Sequence, residues 1–259
     1  MNDTRPIGLF DSGIGGTTVW QAVNNILPNE NTLFLGDSLN APYGQKTKEE
    51  IIHLSKKNTE WLLNKNAKII IVACNTATTN AITELRNTYK VPIIGIEPAI
   101  KPAALNTQTG VVGVLATQGT LQSKKYTEAQ TLYPNVTFIN QIGYNIVQII
   151  EEGGLYSTEL KDLLTTYLSP MVEKNIDHLV LGCTHYPYLT PILQQILPQN
   201  IKIIDSGLAV AKHTKKILEQ QNLLKTDNKL GISEFYTTKN VEIMQSFIQQ
   251  KGIAKLIKI

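Results

Sequence analysis

The chain has 259 residues, 42% of them hydrophobic and 17% charged, with a formal net charge of only +3. That composition suits a globular protein of one or two cores and leaves no room for a low-complexity segment. Its lysines are scattered rather than gathered in a basic stripe, so nucleic-acid binding is not expected; no apolar run approaches the roughly 18 residues of a membrane span.

From the N-terminus, short β-branched runs bounded by Gly, Asn or Pro alternate with longer segments of helical period. Strands are predicted at Ile7–Phe10, Thr32–Gly36, Ile69–Ala73, Pro92–Ile96, Val111–Leu115, Val136–Asn140, His178–Leu181 and Ile201–Ile204. Helical patterning covers Lys48–Lys65, Thr76–Tyr89, Gln118–Tyr133, Thr158–Lys174 and Ala209–Gln220, and Gln221–Lys229 reads as a surface loop. Such alternation predicts an α/β fold of mostly parallel sheet covered by helices on both faces.

A faint internal repeat runs through this pattern. Gly8-Leu-Phe-Asp-Ser-Gly resembles Gly113-Val-Leu-Ala-Thr-Gln, and roughly 60 to 70 residues after each a strand ends in a cysteine, Cys74 and Cys183. A duplicated lobe with a site in the cleft between the copies would explain it. The expected crossings are Glu97–Pro102 and Asp205-Ser206-Gly207, giving one lobe of residues 1–97 with 208–259 and another of residues 98–207.

In open parallel sheets, ligands sit beyond the carboxyl ends of the strands. Asp11, Ser12, Asp37, Ser38, Cys74, Asn75, Thr76, Cys183, Thr184 and His185 all fall there. Each cysteine precedes small polar residues and a predicted helix, whose N-terminus lowers a thiol pKa. Bland alternatives stand beside this: a cysteine as a small buried apolar side chain, Asp11 as a helix cap, Asp37–Gly44 as an ordinary loop. A metal site from Cys74, Cys183 and His185 lacks the close Cys pairs of structural zinc sites, and no metal is expected.

Asp11-Ser-Gly-Ile-Gly-Gly has Thr18 where a dinucleotide fingerprint needs its last Gly, and no Lys-Ser/Thr follows as in a P-loop. Its glycines still let backbone N–H groups approach an anion. The only arginines are Arg5 and Arg86, so a carboxylate ligand would be held by backbone amides and by Ser, Thr and Asn side chains. Two thiols facing each other suit inversion of a stereocentre: one removes the α-proton from one face while the other delivers a proton to the opposite face. Asp11 beside Cys74 and His185 beside Cys183 could assist, and the developing charge would be met by amide and hydroxyl donors.

The runs Gly8-Leu-Phe-Asp-Ser-Gly-Ile-Gly-Gly, Gly36-Asp-Ser with Pro42-Tyr-Gly, Ala73-Cys-Asn-Thr-Ala-Thr, Ile96-Glu-Pro and Leu181-Gly-Cys-Thr-His-Tyr-Pro resemble, in order and spacing, the motifs of the glutamate racemases, within the aspartate/glutamate racemase superfamily. The resemblance implies a two-lobed, usually dimeric cytoplasmic enzyme that uses no cofactor and converts L-glutamate to D-glutamate for peptidoglycan. It implies catalytic roles for Cys74, Cys183, Asp11, His185 and Glu151, with Cys74 acting on the D- and Cys183 on the L-enantiomer. Substrate contacts would come from Asp11, Ser12, Asp37, Ser38, Pro42, Tyr43, Gly44, Cys74, Asn75, Thr76, Thr117, Cys183, Thr184 and His185. His185 favours glutamate over aspartate, whose racemases typically carry Glu there.

The chain departs from the family pattern at Asn40, where arginine is common, in Gly143–Ile150 before Glu151, and at Lys239-Asn240 in place of Gly-Asp. An aspartate or hydantoin racemase would need the same two thiols. A binding module would not, and nothing resembling an interaction tail is present.

Overall fold

The computed structural model describes residues 2–259. Two parallel sheets share the chain. Strands β1 (Ile7–Asp11), β2 (Thr32–Gly36), β3 (Ile69–Val72) and β4 (Ile93–Gly95) begin the first sheet; β5 (Val111–Ala116), β6 (Thr137–Ile142), β7 (His178–Gly182) and β8 (Lys202–Ile204) form the second. The chain then returns, adding β9 (Ser233–Thr237) and β10 (Ala254–Leu256) to the first sheet, whose order is β10-β9-β2-β1-β3-β4; the second runs β6-β5-β7-β8.

The repeat seen in the sequence is therefore a repeat of topology. The order β2-β1-β3-β4 corresponds strand for strand to β6-β5-β7-β8. Gly8 pairs with Ile70 and Gly113 with Leu179 at matching places in the two central strands. Strands β1, β3 and β7 are buried along their whole length, which is why they read as unbroken apolar runs rather than alternating ones.

Helices α1 (Thr17–Ile26), α2 (Lys48–Asn64), α3 (Asn75–Thr88) and α4 (Ile100–Asn106) follow the first four strands, the last of them leading into the second lobe. There, α5 (Gln118–Leu121), α6 (Lys124–Thr131), α7 (Ile146–Glu151), α8 (Thr158–Glu173) and α9 (Thr190–Ile196) flank the sheet, and α10 (Gly207–Gln220) and α11 (Val241–Ile248) belong to the returning chain. Thr47 and Glu50 close a capping box at the start of α2. Asn66, Asn175 and Asn222, just past α2, α8 and α10, take positive φ and end those helices.

Two details differ from the sequence reading. The single helix expected over Gln118–Tyr133 is broken at Ser123, whose hydroxyl donates to Thr120 O (2.7 Å) and accepts from Tyr126 N (3.3 Å), ending one helix and capping the next. The C-terminal strands carried no strong strand signal because β9 is only partly buried and β10 is a three-residue edge. No helix among the described residues is long and apolar enough to cross a membrane.

Below the first sheet, away from the cleft, Lys68 Nζ lies 2.5 Å from Glu30 Oε2 with both side chains almost fully buried, and it also donates to Asp3 O (2.8 Å). Glu30 accepts from Lys225 N (2.7 Å), so the pair pins both the N-terminus and the returning chain. Removing one partner strands the other charge. Lys68→Met is expected to lower unfolding free energy by about 3–5 kcal/mol in urea titration; a loss below about 1 kcal/mol would contradict it.

Candidate active site

Because every strand in both sheets is parallel, the strand ends deliver their following residues to one edge of each lobe. Asp11 closes β1, Cys74 follows β3, Thr117 follows β5 and Cys183 follows β7. The two cysteines are thus topologically equivalent, one from each lobe. Both are free and buried, and they are near enough that charge on Cys183 pushes the Cys74 thiol up.

Cys74 caps α3. Its sulfur accepts from Ala77 N and donates to Ser12 Oγ, each at 3.5 Å. The sequence suggested that this helix N-terminus would lower the thiol pKa. The structure overturns that for Cys74: burial, then the nearby Asp11 carboxylate, push it far up, outweighing the Ser12 and Ala77 contacts. Cys74 therefore rests as a thiol, a proton donor.

Cys183 differs. The segment after it is a short 3₁₀ turn, Tyr186–Leu189, ahead of α9. Cys183 Sγ lies 3.8 Å from His185 Nδ1, and His185 Nε2 lies 2.6 Å from Glu151 Oε1. Burial pulls the imidazole down, but the sulfur and the Glu151 carboxylate outweigh it and hold His185 well above its usual value. The ring thus links the two groups, its Nδ1 facing Cys183 and its Nε2 facing both the Glu151 carboxylate and the Gly15 N–H, 3.3 Å away.

Asp11 is fully buried. Its Oδ2 accepts from Gly16 N (2.8 Å), and Thr184 Oγ1 reaches both oxygens at 3.3 and 3.4 Å. Burial raises its pKa to about 6 against the opposing pull of His185 and Gly16 N–H. Asp11 is thus both a turn cap and a titratable neighbour of Cys74.

Two glycines of the first motif are required by close approach. A Cβ on Gly13 would lie 1.8 Å from Glu151 Oε1, and one on Gly15 would lie 2.3 Å from His185 Nδ1. Between them Ile14 N donates to Glu151 Oε1 at 2.6 Å, so the turn of one lobe sits against the acid–imidazole pair of the other. Thr76 and Thr117 also share a 2.8 Å hydrogen bond across the lobes.

The remaining residues separate into two groups. Ser12, Asn75, Thr76, Thr117 and Thr184 are buried in the segments that follow the strand ends, and Asn75 Nδ2 is a buried donor without a partner among the described residues. Ser38 Oγ, in the neighbouring loop, is likewise unpartnered. Asp37 is occupied within its own loop: Tyr43 Oη donates to it at 2.6 Å, Asn40 Nδ2 at 2.9 Å and Thr238 Oγ1 at 3.3 Å. It holds Pro42, Tyr43 and Gly44 in place over the cleft. Asn58, which donates to Tyr43 Oη at 3.0 Å, gave no sign in the sequence, being one polar position inside α2. Thr17, whose hydroxyl bonds Tyr188 across the lobes, was equally silent. Among the described residues, no group of three His, Cys, Asp or Glu side chains is placed to hold a metal.

Fold and site together define a two-lobed α/β protein in which matching strand ends bring one thiol from each lobe to a shared cleft. The family model for Asp/Glu/Hydantoin racemase matches residues 14–214. A glutamate racemase of Stutzerimonas stutzeri is 45% identical over 85% of this chain and 84% of its own length. A glutamate racemase isoform of Bacillus anthracis superimposes with a TM-score of 0.89 at 28% identity, over 99% of this chain and 98% of that one. The glutamate racemase of Francisella tularensis, solved with D-glutamate, gives 0.84 at 31% identity, over 99% and 98%. The chain belongs to the Asp/Glu/Hydantoin racemase family and is a racemase, an isomerase.

Proposed function

We propose that this racemase interconverts L- and D-glutamate without a cofactor, using Cys74 and Cys183 as the two acid–base groups, and supplies D-glutamate for peptidoglycan in the cytoplasm. The observation that carries the reading is the pair of buried thiols at equivalent strand ends of the two lobes, each beside its own proton partner. The glutamate racemases among its relatives, one of them bound to D-glutamate, favour the substrate. The lobes are assigned as residues 1–97 with 208–259 and residues 98–207, and a homodimer is carried over from the family resemblance.

For L-glutamate, Cys183 as thiolate takes the α-proton while Cys74 as thiol protonates the opposite face. In reverse, Cys74 must first lose its proton, and Asp11 is the acceptor beside it. Unpaired Asn75 Nδ2 and the hydroxyls of Ser12, Thr76, Thr117 and Thr184 supply donors for the substrate carboxylates, consistent with a site that has no arginine. Incubation with L-glutamate followed by chiral chromatography is expected to reach equal amounts of both enantiomers. Inversion of aspartate but not glutamate would change the substrate and keep the chemistry.

Enantiomers have equal free energy, so kcat/KM is the same in both directions at every pH and in every variant. The Asp11 pKa of about 6 then fixes a sign. Below it Asp11 carries its own proton, Cys74 cannot be deprotonated, and kcat/KM falls equally for both enantiomers. Asp11→Asn is expected to remove this acid limb and lower kcat/KM by about 10²-fold or more; a variant that keeps both the limb and the wild-type rate would reject the role.

A further inference from the structure

The geometry points to Lys239 as a specificity-determining residue at the mouth of the cleft, where its ammonium draws in the dicarboxylate substrate; this rests on the glutamate reading above. The reacting thiols are almost wholly enclosed, Cys74 at 3% and Cys183 at 6% exposure. Access lies between the Ser38–Gln45 loop of one lobe and α7 of the other. Two pockets meet that gap, both lined by Pro42, Val147 and Gln148. The first has no charged residue in its lining.

The second pocket is lined also by Glu151, Glu152 and Lys239. Two carboxylates at the mouth repel an incoming anion, and like charges brought together are a strong bar to association. Glu151 is partly offset behind by His185, 2.6 Å away. Glu152 is met only by the neutral amide of Gln148 at 3.1 Å. Lys239 is the only cation in the lining of either pocket, and among the described residues no carboxylate lies within ion-pair distance of it. The two arginines are engaged elsewhere, Arg5 with Asp3 and Arg86 with Ile93 O.

Lys239 is exposed, yet its backbone is fixed. Lys239 N donates to Thr237 Oγ1 (3.3 Å), Thr238 N to Gly36 O (3.1 Å), and Thr238 Oγ1 accepts from Leu39 N (2.9 Å) while donating to Asp37. The residue is thus tied to the loop that forms one wall of the mouth.

The test compares wild type, Lys239→Gln, Lys239→Glu and Lys239→Arg with L-glutamate at about 0.01 M and about 1 M salt, where charges reach about 30 Å and about 3 Å. At low salt, Gln is expected to raise KM about twofold to fivefold, the upper range of one exposed charge pair. Glu raises it further, Arg restores it, and kcat stays within about twofold. High salt erases the differences. Unchanged KM in the Gln and Glu variants, with wild-type turnover present, overturns the role of Lys239 alone. Absence of wild-type turnover overturns the glutamate reading and this inference with it.

Discussion

Cys74→Ala and Cys183→Ala are each expected to lower racemisation by about 10⁴-fold or more, since each removes a proton-transferring group itself rather than a helper, whose loss is worth about 10²–10⁴. Both side chains are small and buried among strand ends, so thermal unfolding should remain cooperative. Their residual chemistry should differ. With Cys74 absent, Cys183 can still remove and return the α-proton of L-glutamate, so solvent deuterium enters the L-enantiomer without inversion. With Cys183 absent, the same exchange is expected for D-glutamate only. Racemisation within tenfold of wild type in either variant would end the two-thiol account, and exchange of the opposite enantiomer would reverse the assignment of faces.

Glu151→Gln is expected to lower kcat/KM by about 10²-fold, equally in both directions. Glu151 Oε1 is 2.6 Å from both His185 Nε2 and Ile14 N, so it holds the imidazolium and the glycine turn at once. An amide keeps an acceptor for Ile14 but no longer stabilises the cation. The Glu151 carboxylate is one of the groups that raise His185, so its loss lets the ring shed its proton at lower pH. The alkaline limb of kcat/KM should therefore move to lower pH. Glu151→Ala should in addition destabilise the fold by about 3 kcal/mol or more, as a buried charge loses its partner. An unmoved alkaline limb in Glu151→Gln would show that the contact with His185 is not part of the chemistry.

What could be read in advance followed from physics local to the chain. Buried parallel strands announce themselves as short β-branched runs, and the rule that ligands lie beyond their carboxyl ends singled out Asp11, Cys74 and Cys183, which the structure has at the ends of β1, β3 and β7; Thr117 came from the family resemblance alone. The repeat of Gly8 and Gly113 was legible because both sit at equivalent places in central strands, between apolar partners on each side. Glu151 was a different matter. Its partners Ile14 and His185 lie 137 and 34 residues away, so only the family resemblance, and no local pattern, singled it out. The high Cys74 thiol was also out of reach, because the helix N-terminus is a local feature while the burial that overrides it comes from packing among residues distant in the chain, such as Phe10, Leu35 and Tyr43. Ser123 broke a helix through its own hydrogen bonds, which apolar periodicity does not record. Strand β10 owes its existence to pairing with β9 rather than to its own composition.

The most direct measurement is proton NMR of L-glutamate in D₂O with the purified, reduced protein and no added cofactor, followed by chiral analysis. Loss of the α-proton signal together with the appearance of deuterated D-glutamate is the predicted result. An α-proton signal that persists in folded protein, with glutamate and with aspartate alike, would contradict proton transfer at this pair of thiols.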